Sequence, residues 1–353
     1  MKTLRFLPLL ALPALLSLYE PGAEMRFAPE EGAEVSLAFT NHLEMFLDDF
    51  SAEAMGQDMG AMIGDIEMSV GVDLEAEFTD TYNSASGNRP TAFMRSYDGA
   101  TVSGEFSAAA QGESEGDSFE VESGMEGSRV MWTWDEDEND YVPTYPEDEE
   151  GDEERLEGLL PRLDLAFMLP TEEVSEGDSW TIDPLELAAL LMPGGDLAYD
   201  TETGDRGEMD EAMDTDEIEE MMGALFEGEV TATYKSTNDE GLAEIEVKMD
   251  ISGEEDFAEM VAEGMQKAIE MSGQEIDPAD LPSIETFAVS IAMEGEGVLL
   301  WNMRAGHVAS FNMSSDLEFG LELEVLIAQE GMEIPATGEI LLGGSMEIAV
   351  EAN

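Results

Sequence analysis

The sequence predicts a mainly β fold (α+β): a long, curled antiparallel sheet or half-barrel with a few covering helices. Three observations predict it. Apolar and polar residues alternate with period two over stretches of about 13 to 18 residues, where ordinary strands run to about 5–6. In each stretch one face is apolar and the other acidic, the pattern of an antiparallel sheet covered on one side. Hydrophobic residues make up 43% of the chain, enough for a packed core even though 13 basic against 84 acidic residues leave a net charge of −71.

The elements follow in chain order. Met1 to Arg5 carries Lys2 and Arg5, and the stretch from Phe6 to Leu18 is apolar apart from Ser17. A positive start before about a dozen apolar residues, too short to span a bilayer, predicts an export signal over 1–23 with cleavage after Ala23. Pro8 and Pro13 argue against a buried helix there. Val35, Leu37, Phe39, Leu43, Met45 and Leu47 mark one face of the first long strand. Phe50-Ser51 then opens an expected helix with Met55, Met59, Met62 and Ile63 on one side. Ile66, Met68, Val70, Val72, Leu74, Ala76 and Phe78 form the second long strand, and shorter ones are expected near 91–97, 101–108, 117–123 and 128–134.

Two acidic segments, 135–154 and 194–220, read as solvated loops. Between them, Asp183-Pro184 with Glu186 three residues after the cap starts a helix that Pro193-Gly194 stops. A weaker helix is expected over 215–225 and strands over 228–237 and 242–251. Asp256 and Glu259 cap a helix over 256–272, and a strand follows over 286–301. Phe311 to Ile327 and Ile340 to Val350 complete the set as two more alternating strands. Residues 24–353 are expected to form a single exported β-rich domain, with two lobes meeting near 135–220 as the alternative.

Composition excludes several functions. The acidic surface argues against nucleic acid as a partner. With no cysteine, there are no disulfides, thiolate zinc sites or cysteine nucleophiles. The two histidines, His42 and His307, sit outside any nucleophile, phosphate-loop or zinc-protease motif, and no enzyme activity is expected. No segment after the N-terminus is long and apolar enough for a transmembrane helix.

Two constellations remain. The methionines at 55, 59 and 62 have helical spacing, which favours packing on the sheet over Cu(I) ligation; lining an adaptable apolar site is the reading between them. Asp135, Asp137, Asn139 and Asp140 begin like a calcium loop, but Asp140 holds the glycine position and Pro146 the glutamate position of an EF-hand. Weak calcium association is what such a run offers, and no cofactor is expected.

The step Val174-Ser175-Glu176-Gly177-Asp178-Ser179-Trp180-Thr181, preceded by Leu169-Pro170, resembles a signature of uncharacterised exported β-rich proteins of the bacterial envelope. The Thr233-Tyr234 and Gly241 to Ile245 strands, and Gly295-Glu296-Gly297 leading to Trp301, are similar to that group as well. The resemblance implies an exported protein and no activity. By architecture alone, the long strands also look like periplasmic lipid-carrier half-barrels.

The expected function is therefore noncatalytic, in the periplasm or outside the cell, with an apolar or lipid-like ligand held between sheet and helices. Phe39, Leu43, Met45, Met68, Val70, Val72, Phe319 and Leu321 are its expected lining and Met55, Met59 and Met62 its lid. The alternative is a structural protein of the cell envelope, joined to an envelope component through a cation-binding acidic surface.

Self-repulsion at a charge of −71 is severe in dilute buffer. Raising NaCl to 1 M shrinks the screening length to about 3 Å. The melting temperature is then expected to rise by at least about 5 °C between low and molar salt. A calorimetric scan with no salt dependence contradicts this.

Overall fold

The computed structural model describes residues 22–60, 66–86, 89–110, 113–149, 151–161, 163–188, 190–199, 223–272, 282–329 and 332–353. Residues 1–21 of the signal expected over 1–23, Met62 and most of the helix expected over 215–225 lie outside them. The described strands are β1 (Glu34–Ala54), β2 (Gln57–Asp58), β3 (Ile66–Ser86), β4 (Arg89–Ala110), β5 (Glu113–Glu122), β6 (Arg129–Asp135) and β7 (Asp140–Thr144). They continue with β8 (Ser179–Ile182), β9 (Gly228–Thr237), β10 (Leu242–Asp256), β11 (Ser283–Asn302), β12 (His307–Gln329) and β13 (Met332–Ala352). Two α-helices accompany them, α1 (Pro184–Ala188) and α2 (Ala258–Ser272).

All thirteen strands join one antiparallel sheet in the order β7-β6-β4-β3-β1-β13-β12-β11-β10-β9-β8, with β2 beside β1 and β5 beside β4. The path does not close. Each half is a meander of neighbouring strands, and β1 pairs with β13 to join the two halves in the middle of the sheet. Gly344 marks a close approach within that pair. A Cβ there would run into the Glu44 carbonyl and the Met45 Cα, so only glycine fits.

The sheet bends where extra residues interrupt its ladders, at Asp48 in β1, Asp98 in β4 and Ala309 in β12. The first of these corrects the expectation of a helix from Phe50. The strand runs on to Ala54; the bulge moves the inward phase from odd to even positions, so Phe50 meets Ile340 and Ala52 meets Gly338. Such a phase change breaks a two-residue period and, read as sequence, mimics the start of a helix. Met55 then sits in the turn after β1 with 66% of its surface exposed.

The core fills one end of the sheet. Val35, Leu37, Phe39, Ala76, Phe78, Tyr82, Phe93 and Trp132 are buried in the N-terminal half, and Ile245, Val247, Leu299, Trp301, Phe311 and Val350 in the C-terminal half. Its rings meet edge to face, Phe39 on Phe78 at 5.8 Å and Phe78 on Tyr97 at 5.6 Å. The cover over this end is largely irregular chain, not helix. Among the described residues it includes Met25 and Phe27 near the start, Leu159, Leu163, Leu165, Met168 and Leu169, and Leu190 and Leu197. Ala23, the expected cleavage point, belongs to the fold, since its N–H donates to the Val174 carbonyl at 2.7 Å and its own carbonyl accepts from the Val174 N–H at 3.1 Å. The step after Val174 turns at Gly177-Asp178, and Trp180 Nε1 donates to the Met168 carbonyl at 2.9 Å.

One ion pair pins the irregular cover to the sheet. Arg95 on β4 and Asp80 on β3 are 0% and 1% exposed. The guanidinium donates to both Asp80 oxygens at 2.8 Å, and to the carbonyls of Leu160 and Pro161 at 3.0 Å. Burial opposes its charge, but the Asp80 carboxylate outweighs that and holds Arg95 protonated. Phe78 and Phe93 lie 5.5 and 5.3 Å from its carbon. Asp80→Asn leaves a buried cation uncompensated and is expected to cost about 3–5 kcal/mol. Replacing both partners by apolar residues (Asp80→Leu with Arg95→Met) is expected to cost less than that single change. Urea unfolding of the two variants decides it; equal or reversed losses refute the assignment.

Candidate functional site

Among the described residues the other end of the sheet is open. Along β1, Val35, Leu37 and Phe39 are buried, whereas Leu43, Met45, Leu47 and Phe50 on the same face are half-exposed. The same change occurs after Leu317 in β12, before Met346 in β13 and beyond Ala76 in β3. The border therefore crosses the sheet at one level, near the row Val72–Leu43–Met346–Ser315.

Beyond the border the ladder sets apolar residues side by side. Val70 opposes Met45; Leu47, Leu342, Phe319 and Ile291 form the next row, and Phe50, Ile340, Leu321 and Val289 the one after. All of these are half-exposed. The flank ends in Phe106 beside Val70 and in Phe119, whose ring lies over Gly104 where a side chain would otherwise stand. These two rings are 44% and 53% exposed. At the opposite flank α2 packs on β11. Asp256 Oδ1 accepts from the Ala258 N–H that starts the helix and from the Phe287 N–H of β11, at 3.0 and 2.9 Å. Phe257 is buried there, with Met260 and Val261 packed against the core.

Of the residues expected to line a site, Leu43, Met45, Met68, Val70, Val72, Phe319 and Leu321 share this half-exposed face, while Phe39 lies inside the packed core. Met55 occupies the turn after β1 and Met59 the bend that follows β2, its N–H donating to the Ala52 carbonyl at 2.7 Å. They are not on a helix. Sequence reasoning missed Phe50, Phe106, Phe119, Ile340 and Leu342 as members of the face. Alternation alone identifies Ile340 and Leu342 as strand residues, but only the cross-strand register places them beside Phe319 and Leu321.

The outer face is acidic. A groove of about 770 Å³ crosses β9 to β13 and is walled by Glu229, Asp250, Glu294, Glu296, Asp316 and Glu347 beside Lys248. Asp135 and Asp140 bond their own hairpin, accepting from the backbone N–H groups of Asp137 and Tyr141 at 2.8 and 2.7 Å, and Asn139 has a φ of 57° in that turn. Among the described residues no three His, Cys, Asp or Glu side chains converge to hold a metal ion. His307 Nδ1 lies 2.6 Å from the Val308 carbonyl at the start of β12.

No protein-family model matches the chain, and no curated protein matches it. Among solved structures, an outer membrane channel from Pseudomonas putida F1 aligns over 92% of this chain and 97% of its own at 8% identity, with a TM-score of 0.20. The secretin-domain β-barrel of InvG from the Salmonella SPI-1 injectisome aligns over 91% and 63% at 11% identity, with a TM-score of 0.13. At these scores neither likeness bears on fold or function. No described helix is long and apolar enough to cross a membrane.

On the acidic side of β1, His42 Nδ1 stands 2.6 Å from Asp73 Oδ1. This hydrogen bond raises the imidazole above its ordinary pKa against the opposing effect of burial, and the charges of Asp73, Glu44 and Glu347 add to the rise. A raised histidine contributes stability that is complete below about pH 6.5 and is lost as pH climbs through its folded value. Proton NMR is expected to show His42 titrating above 6.5, with Asp73→Asn lowering its midpoint. An unmoved midpoint contradicts the pairing.

Proposed function

We propose that the protein is an exported, noncatalytic binder of an apolar, lipid-like molecule, held on the half-exposed face of β3, β1, β13, β12 and β11. One observation carries this reading. Adjacent strands present uninterrupted apolar rows on the inner face just where the core stops, while their outer face is acidic. Exposed apolar surface of that continuity marks a binding site on a soluble protein. Lys2, Arg5 and the apolar run after them support export, and the absence of cysteine fits an address at which no disulfide is needed. The methionines of the face give it the pliancy to fit chains of differing shape.

The uncharged fluorophore N-phenyl-1-naphthylamine tests the reading, because net negative charge does not repel it. Its emission is expected to rise on binding to the full-length protein. Met45→Gln and Leu321→Gln are half-exposed changes that leave the core intact. Each removes an apolar side chain worth about 1.5 kcal/mol of burial and is expected to weaken binding about tenfold. A folded protein that leaves the fluorophore dark, or variants that bind it unchanged, overturns the proposal.

A further inference from the structure

The border row of the open face holds a polar group that the fold does not use. Ser315 is 5% exposed and points to the inner side of β12, in phase with Met313 and Leu317, yet its Oγ has no hydrogen-bond partner. Two strands away and one inward position nearer the core, Asn41 on β1 faces the same side. Its Nδ2 donates to the Leu191 carbonyl at 3.4 Å, while its Oδ1 is buried without a partner. With neighbouring strands about 4.8 Å apart and an offset of two residues, about 6.8 Å, along them, the two Cα atoms stand roughly 12 Å from each other. A buried polar atom left unpaired is costly, so native structures rarely keep one without a use.

The surroundings define what could satisfy them. Gly295 lies opposite Ser315 on β11 and Gly297 opposite Met313, so the inner side is bare of side chains next to the hydroxyl. Met346 and Met293, with three rotatable bonds each, flank the position and can move aside. Leu191 marks the edge of the irregular cover, beyond which the apolar rows begin. Around this point the inward positions Leu43, Ile348, Met313 and Leu317 carry no charge and offer no counter-ion. Asn41 Oδ1 accepts only, and Ser315 Oγ can donate or accept.

We infer that Asn41 and Ser315 form the polar end of the binding face, and that the bound molecule is a neutral lipid carrying a free hydroxyl. Its hydrocarbon chain runs over Met45, Leu47, Phe319 and Leu321, and its hydroxyl reaches the border row. The hydroxyl hydrogen-bonds to Ser315 Oγ, and Asn41 Oδ1, too far off for the same atom to reach both, stands on its core side. An ionised fatty acid offers no donor, finds no cation there and meets a molecule of charge −71. This inference rests on the apolar reading of the face and adds the chemistry of the ligand's head.

Displacement of N-phenyl-1-naphthylamine by 1-hexadecanol, hexadecane and hexadecanoate at pH 8 tests it on the full chain. Hexadecanol is expected to compete best. Ser315→Ala is expected to weaken hexadecanol roughly fivefold, one hydrogen bond's worth, and to leave hexadecane unchanged. Ser315→Ala removes an unsatisfied hydroxyl, so its ligand-free melting temperature is expected to hold or rise. If that temperature falls by several degrees, the hydroxyl has a structural partner such as water, and the inference fails. Equal competition by hexadecanol and hexadecane also overturns it while leaving the apolar reading intact. If none of the three displaces the fluorophore, the apolar reading falls and the inference with it.

Discussion

The pairing of β1 with β13 is the constraint on which the rest of the structure depends. Within each half, strands follow one another as local hairpins, β3 with β4 and β10 through β13 in succession. Their ladders form at small cost in loop entropy. β1 and β13 are separated by almost the whole chain, and their ladder runs from Leu37–Ala352 to Ala54–Ala336. Without it there are two edge strands of 21 residues each, with unpaired backbone groups along one side. Its closure carries the largest entropic cost in the fold and makes one core out of two. Gly344 is required there, because the two backbones come together more closely than any side chain permits.

That central pair also sets where the core ends. The segments that cover the sheet are tied to one end of it by Arg95 and by the bridge from Ala23 to Val174. The strands run about twice as far as the cover does, and their alternation does not change when the cover stops. The same pattern that buries Phe39 therefore exposes Met45 and Leu47 a few residues later. The open face follows from strand length exceeding the reach of the cover, with no separate pocket-forming element needed.

The sequence made the strands legible because period two survives over many residues, and β3, β12 and β13 lie where alternation places them. The capped helix at Asp256 was legible for the same kind of reason, a local hydrogen bond between a side chain and the backbone just after it. Two things were not. The bulge at Leu47/Asp49 reverses the phase of β1, and a phase reversal cannot be told from the end of a strand without its partner. The split of the apolar positions into core and open face depends on which loops reach them, a long-range property that Leu43 and Phe39 do not encode differently. Ser315 belongs with the second group, since a serine within an alternating strand gives no sign that its hydroxyl goes unpaired.

The charge of −71 acquires a purpose from this geometry. An apolar face open to solvent is an aggregation hazard, and two copies would bury it against each other if nothing kept them apart. In dilute solution the acidic outer surface does so at long range. In salt that repulsion is screened within a few ångströms, and protection passes to groups beside the face. β5, the strand that flanks it, pairs among the described residues with β4 alone and carries Glu113, Glu115, Asp117, Glu120 and Glu122 along its length. The ends of the sheet path are the short strands β7 and β8, of 5 and 4 residues. Charged or short edges resist strand addition at any ionic strength, because an incoming strand must desolvate those carboxylates or finds little to pair with. The apolar face is thus flanked by edges that a second copy gains little by pairing with, in dilute buffer or in salt.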